Sequence, residues 1–173
     1  MRDRASSSYR RVPVKFRRSR RGSSVVRYGA GVNRQRIIEL NQQQCRELLA
    51  SNESRLGRVA FAEDGDPNWP TVLPVNYAYH GGRVYFRTFE GSKLYAALRH
   101  QRVAFEVDVV DVDWAQGWSV LALGSLDVVT DAHEIGTVDP LLRSWAADAT
   151  EQLVRLDITQ LTGREIFGGS ARG

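Results

Sequence analysis

Between residues 56 and 166 the chain is a series of short apolar, β-branched runs, most of them joined by tight turns rather than by helices. Parallel strands need crossovers of a dozen or more residues, whereas antiparallel neighbours need only a turn. The runs read as strands over 56–62, 71–79, 83–88, 102–110, 117–129 and 153–166. Glu63-Asp64-Gly65-Asp66-Pro67 and the tight hairpin His80-Gly81-Gly82 separate the first three. Pro74 interrupts the second run, and Gly124 marks a bend or bulge in the fifth. Helices are expected over 41–52, 92–99 and within 132–150 around Asp139-Pro140. In the first of these, Asn41 is the N-cap and Cys45, Leu48 and Leu49 form the apolar face. This order implies a mostly β fold, an antiparallel sheet curling into a barrel with short flanking helices.

Charge divides the chain. Residues 1–36 hold 12 of its 24 basic residues and one acid, Asp3, while the remainder carries 12 basic and 19 acidic residues, a net of −7. The expected organisation is a basic arm (1–36) with too little apolar surface to fold, a domain over 37–167, and a tail over 168–173. An Arg- and Ser-rich arm can hold nucleic acid or anionic lipid, or serve as a transit peptide, or be an incidental extension. No zinc pattern, helix-turn-helix spacing or aromatic interleaving accompanies the charge, so nucleic-acid binding has no second support. Cys45 is the single cysteine, which excludes an intrachain disulfide and suits a reducing cytoplasm. No apolar run approaches the ~18–20 residues that cross a membrane.

Chemistry concentrates at one junction. Val84-Tyr85-Phe86-Arg87-Thr88-Phe89-Glu90-Gly91-Ser92-Lys93-Leu94 reads as a strand, a short loop and a helix start. A helix N-terminus presents orphan N–H donors to an anion, Arg87 can fork onto two phosphate oxygens, and Lys93 adds a point charge. The alternative is a solvated strand end with an ordinary helix cap. Nucleotide-binding and serine-hydrolase signatures are absent: there is no G-x-G-x-x-G, G-x-x-x-x-G-K-[ST] or G-x-S-x-G. His80, His100 and His133 have no metal-ligand spacing, so no metal site is expected. Glu106 and Asp108 alternate on a strand and share one face, read as solvated or salt-bridged.

Five segments together resemble the pyridoxamine 5′-phosphate oxidase-like flavoproteins, the FMN-binding split-barrel family. They are Gly57-Arg58-Val59-Ala60-Phe61, Val72-Leu73-Pro74-Val75-Asn76-Tyr77, Phe86-Arg87-Thr88 with Gly91-Ser92-Lys93-Leu94, Val103-Ala104-Phe105-Glu106-Val107-Asp108 and Gly117-Trp118-Ser119-Val120. The resemblance covers residues 37–166 and implies a homodimer of six-stranded antiparallel split β-barrels with FMN in clefts at the subunit interface. It implies that Arg87, Thr88, Ser92 and Lys93 hold the phosphate. Pro74, Val75, Asn76 and Tyr77 would run beside the isoalloxazine, and Trp118 and Ser119 would approach from the partner subunit, although Trp118 serves equally as a core anchor. The implied activity is an FMN-dependent oxidoreductase working between a small-molecule electron donor and acceptor. A deazaflavin-dependent reductase and a non-catalytic flavin-binding or sensing module, attached to nucleic acid by the basic arm, are the alternatives. The C-terminal Trp/Arg/His substrate segment of the founding oxidases has no counterpart in Gly-Gly-Ser-Ala-Arg-Gly, so pyridoxamine phosphate is not the expected substrate.

Overall fold

The computed structural model describes residues 25–26, 36–51, 55–63, 66–89, 102–111, 116–142 and 151–167. Its strands are β1 (Val25–Val26), β2 (Arg36–Leu40), β3 (Leu56–Glu63), β4 (Asp66–His80), β5 (Arg83–Phe89), β6 (Val103–Asp111), β7 (Gln116–Val128) and β8 (Glu151–Phe167). Two helices accompany them, α1 (Gln42–Ser51) and α2 (Ala132–Val138), the latter running into a 3-10 turn at Asp139–Leu141. The strand order β8-β5-β4-β3-β6-β7 closes through a β7–β8 pairing, and every pair is antiparallel. Six strands therefore form the expected barrel. Outside the ring, β2 pairs with the C-terminal end of β8 over residues 163–167, and β1 pairs with β2.

The two short strands were not legible in the sequence. Ile37-Ile38 are adjacent and do not alternate, and Val25–Val26, within the segment expected as an arm, pairs with Ile38 and Ile37.

Alternation builds the barrel interior. Val59 and Phe61 of β3, Val75 and Tyr77 of β4, Val84 and Phe86 of β5, and Val103, Phe105 and Val107 of β6 all turn into one core. Tyr77 and Phe105 meet edge to face across it, with ring centroids 5.1 Å apart at 71°. Helix α1 packs on the same core through Cys45 and Leu49, and the Tyr77 hydroxyl donates to the Leu49 carbonyl (3.1 Å). Its start is a reciprocal cap: the Gln44 N–H donates to Asn41 Oδ1 and the Asn41 N–H to Gln44 Oε1, each at 2.9 Å. The Gly81-Gly82 hairpin has φ of +58° and +83°, the positive pair that a type I′ turn requires.

A bulge keeps β8 in phase. Leu123 pairs with Gln160 but Gly124 pairs with Ile158, so Thr159 is the extra residue. The bulge lies at the position expected for Gly124, on the partner strand. It lets Leu161 on one side and Leu156 and Val154 on the other all face the core, although their spacing is odd.

A second, smaller core lies outside the barrel, where Tyr85, Val129 and Leu153 pack against Val138 of α2.

Candidate functional site

Strands β4 and β5 pair only over Tyr77↔Phe86 to His80↔Arg83. Past Tyr77↔Phe86 the ladder stops. β4 continues against β3 alone, through Asn76, Val75, Pro74 and Leu73, while β5 continues against β8 through Arg87, Thr88 and Phe89. An opening results in the barrel wall. The Tyr77 N–H donates to the Arg55 carbonyl (2.8 Å) on the β3 side, so strand alternation turns the backbone groups of Asn76, Pro74 and Val72 toward the opened side. Pro74 has no N–H, and this edge is where its absence breaks no ladder bond. Carbonyl acceptors with N–H donors at Asn76 and Val72 thus face the opening, and Arg87 stands at its end.

The side chains of the expected site divide between two faces. Val75, Tyr77 and Thr88 are buried on the inner side, whereas Arg87, on the outer side, keeps a side-chain exposure of 26%. The Arg87 Nη2 is ion-paired with the Asp139 carboxylate, and Nη1 donates to the Glu151 carbonyl (3.2 Å). Ser92 and Lys93, the other half of the expected phosphate cradle, lie outside the described residues. Trp118 and Ser119 sit on β7, three strands from β4 either way around the ring. Trp118 is 6% exposed and packs into the core, while Ser119 faces outward opposite Asp108 and Arg164. Within one chain they do not join the β4–β5 opening.

Two residues at the opening carried no sequence signal of their own. Asp139 was visible only as part of a turn with Pro140, and its pairing with Arg87 spans 52 positions. Arg55 adopts φ +49° just before β3, and its Nη1 donates to the Leu141 carbonyl (3.0 Å). The 3-10 turn is therefore tied to β5 by Arg87 and to the start of β3 by Arg55.

Helix α2 is anchored beside it by a polar network. The Tyr85 hydroxyl donates to Glu134 Oε1 (2.8 Å), Arg155 Nη1 donates to both Glu134 oxygens (3.2 and 3.1 Å), and Asp157 bridges Arg155 (3.0 Å) and Arg83 (2.6 Å). The Tyr85 hydrogen bond, with Arg155 beside it, holds the Glu134 carboxyl below the ordinary carboxylate range. Burial, and then the bond to Glu134, push the Tyr85 phenol up. On the far side of the barrel Arg58 bridges Glu106 (3.1 Å) and Asp108 (2.5 Å), the salt-bridged face expected for those carboxylates. Burial and the charge of Asp108 raise Glu106. Burial also raises the Cys45 thiol, which leaves it packed rather than nucleophilic. No cluster of metal-ligating side chains occurs among the described residues.

The fold has counterparts among known proteins. The family profile described as pyridoxamine 5′-phosphate oxidase matches residues 41–165. An FAD binding protein from Mycobacterium smegmatis is 34% identical, with a TM-score of 0.62, covering 73% of this chain and 98% of that one. An FAD-binding protein from Mesorhizobium loti is 26% identical, with a TM-score of 0.61, covering 75% of this chain and 97% of that one. A Mycobacterium tuberculosis protein named only as the uncharacterized protein Rv0080 is 31% identical over 139 residues, covering 78% of this chain and 88% of that one. With the profile spanning most of the chain and the barrel closed as expected, this protein belongs to the pyridoxamine 5′-phosphate oxidase-like split-barrel family.

Proposed function

We propose that this chain is a flavin-nucleotide-dependent oxidoreductase that binds its cofactor along the open edge of β4, with the phosphate at Arg87. The observation that carries the reading is the interrupted β4–β5 ladder ending at a guanidinium. A strand edge with both donors and acceptors suits the polar rim of a flat heterocycle, and a guanidinium suits a phosphate. FMN, the smallest phosphorylated flavin, satisfies both. FAD carries the same proximal phosphate and is the cofactor named for the Mycobacterium smegmatis and Mesorhizobium loti proteins.

In this reading Asn76 and the neighbouring backbone orient the ring, Arg87 anchors the phosphate with Ser92 and Lys93, and the buried Val75 and Tyr77 wall off water. The bound flavin supplies two-electron chemistry between a small-molecule donor and acceptor. The substrate is taken to differ from pyridoxamine phosphate. With Arg87 given to the cofactor, Arg55 is the other partly buried cation at the opening, and it is held on the Leu141 carbonyl, which leaves no second phosphate cradle there among the described residues.

The same reading includes a homodimer. Val72, Leu56, Leu121 and Val110 are exposed on one outer face of β4-β3-β6-β7, where Ser119 is half-buried. The Arg58–Glu106–Asp108 ion pairs lie among them, and a face of exposed apolar side chains around a charged cluster is suited to a second copy. A cytoplasmic location goes with the reading through the single buried thiol; no described helix is long and apolar enough to cross a membrane.

The test is the visible spectrum of the purified protein, mass spectrometry of any released cofactor, and anaerobic addition of NAD(P)H. A flavin spectrum that bleaches at a useful rate is expected, and mass spectrometry separates FMN, FAD and a deazaflavin. Arg87→Ala should weaken FMN binding about 10–150-fold, the range for loss of a charged hydrogen bond. A colourless protein that takes up none of the three would end the proposal.

A further inference from the structure

The Arg87–Asp139 pair places a carboxylate where the proposed cofactor needs a phosphate. Both anions use the same planar fork of N–H donors. A carboxylate left beside a bound phosphate would repel it, because a phosphate monoester carries about −1.5 to −2 charge at pH 7. We infer that Asp139 is a built-in competitor for Arg87, displaced when a phosphate arrives. The inference rests on the reading of Arg87 as the cofactor's phosphate ligand.

Three features make this more than a chance surface pair. The carboxylate is carried by a fixed element: Val138, the preceding residue, is fully buried in the outer core, and Pro140 follows it. The turn is held at its far end by Arg55 on the Leu141 carbonyl and within itself by the Leu142 N–H on the Asp139 carbonyl (3.1 Å). The pair is also open enough to be exchanged, with side-chain exposures of 26% for Arg87 and 38% for Asp139. Ion pairs this accessible are worth little, so a dianion can replace the carboxylate while Nη1 keeps the Glu151 carbonyl. Without a phosphate, Asp139 keeps Arg87 neutralised and the turn in place across the end of the opening. Ligands that share the ring but lack the phosphate do not meet this competition. Asp139 thereby trims the advantage that the phosphate gives a flavin nucleotide over phosphate-free flavin.

The experiment is a fluorescence titration of the full chain with FMN and with riboflavin, comparing wild type with Asp139→Asn and Asp139→Ala. Both variants should bind FMN about three- to fivefold more tightly and riboflavin unchanged. In an Arg87→Ala background the Asp139→Asn effect should vanish. Weaker FMN binding would mean that Asp139 positions Arg87 rather than competing for it, and would overturn the inference. An equal shift for FMN and riboflavin, or none for either, would overturn it as well. If wild type binds neither flavin, the cofactor reading itself fails and the inference falls with it.

Discussion

A methyl group at position 124 would lie 2.1 Å from the Asp157 carbonyl oxygen, inside any tolerable contact. Gly124→Ala must push two paired strands apart at the bulge, and should cost about 1–3 kcal/mol in urea denaturation. A variant as stable as wild type would mean that the β7–β8 contact is looser than described. Tyr85→Phe removes one hydroxyl from a nearly buried ring and leaves Glu134 with Arg155 alone. About 1 kcal/mol of stability should be lost by the same measurement, with flavin binding unaffected. At this scale the sequence was informative wherever a residue acts through its own backbone. Pro74, Gly81-Gly82, Gly124 and Asn41 each signalled a local geometry that the fold contains. Arg87 was legible as a cation at a strand end, but its partner Asp139 was not, because pairing across 52 positions depends on the path of the chain between them.

Among the elements, α2 is short, and its place depends on its own Val138, packed on Tyr85, Val129 and Leu153, and its own Glu134, bonded to Tyr85 and Arg155. Glu134 has a folded-state pKa below its ordinary value. Its contribution is therefore present above the unfolded-state pKa of ~4.3 and is lost as pH falls through the lower folded value. Thermal melts should show wild type losing stability through that acid window, while Glu134→Gln, weaker at neutral pH, shows a flatter acid limb. Parallel limbs for the two proteins would remove Glu134 from the anchoring of α2. The strands were readable because apolar residues alternate along them, and the six of the ring lie close to where alternation put them. Less legible were their ends and additions. β4 begins earlier than expected, at Asp66, and β2 has no alternation to betray it. The extra residue Thr159 in β8 could not be told from a loss of phase until its partner strand was known.

For the whole molecule, closure of the ring through β7 and β8 puts Ser119 far from the β4–β5 opening in the same chain. The proposed dimer gives that distance a purpose, since a second copy packed on the outer face of β4-β3-β6-β7 would cover Ser119. Val110 is 65% exposed, so Val110→Asp should leave the barrel's melting temperature nearly unchanged while light scattering shows a monomer. A wild-type monomer with full flavin affinity would refute the shared-cleft arrangement. Truncation to Val32 removes β1 but no strand of the ring, and should leave the urea midpoint almost where it was.

In the proposed complex a flavin nucleotide lies along the open edge of β4 with its phosphate at Arg87. A crystal structure of the full chain with FMN tests it most directly. The expected density places the polar rim of the ring beside the backbone of residues 72–76 and the phosphate within hydrogen-bond distance of the Arg87 guanidinium, with Asp139 withdrawn. FMN bound elsewhere on the barrel, or a phosphate that does not touch Arg87, would contradict it.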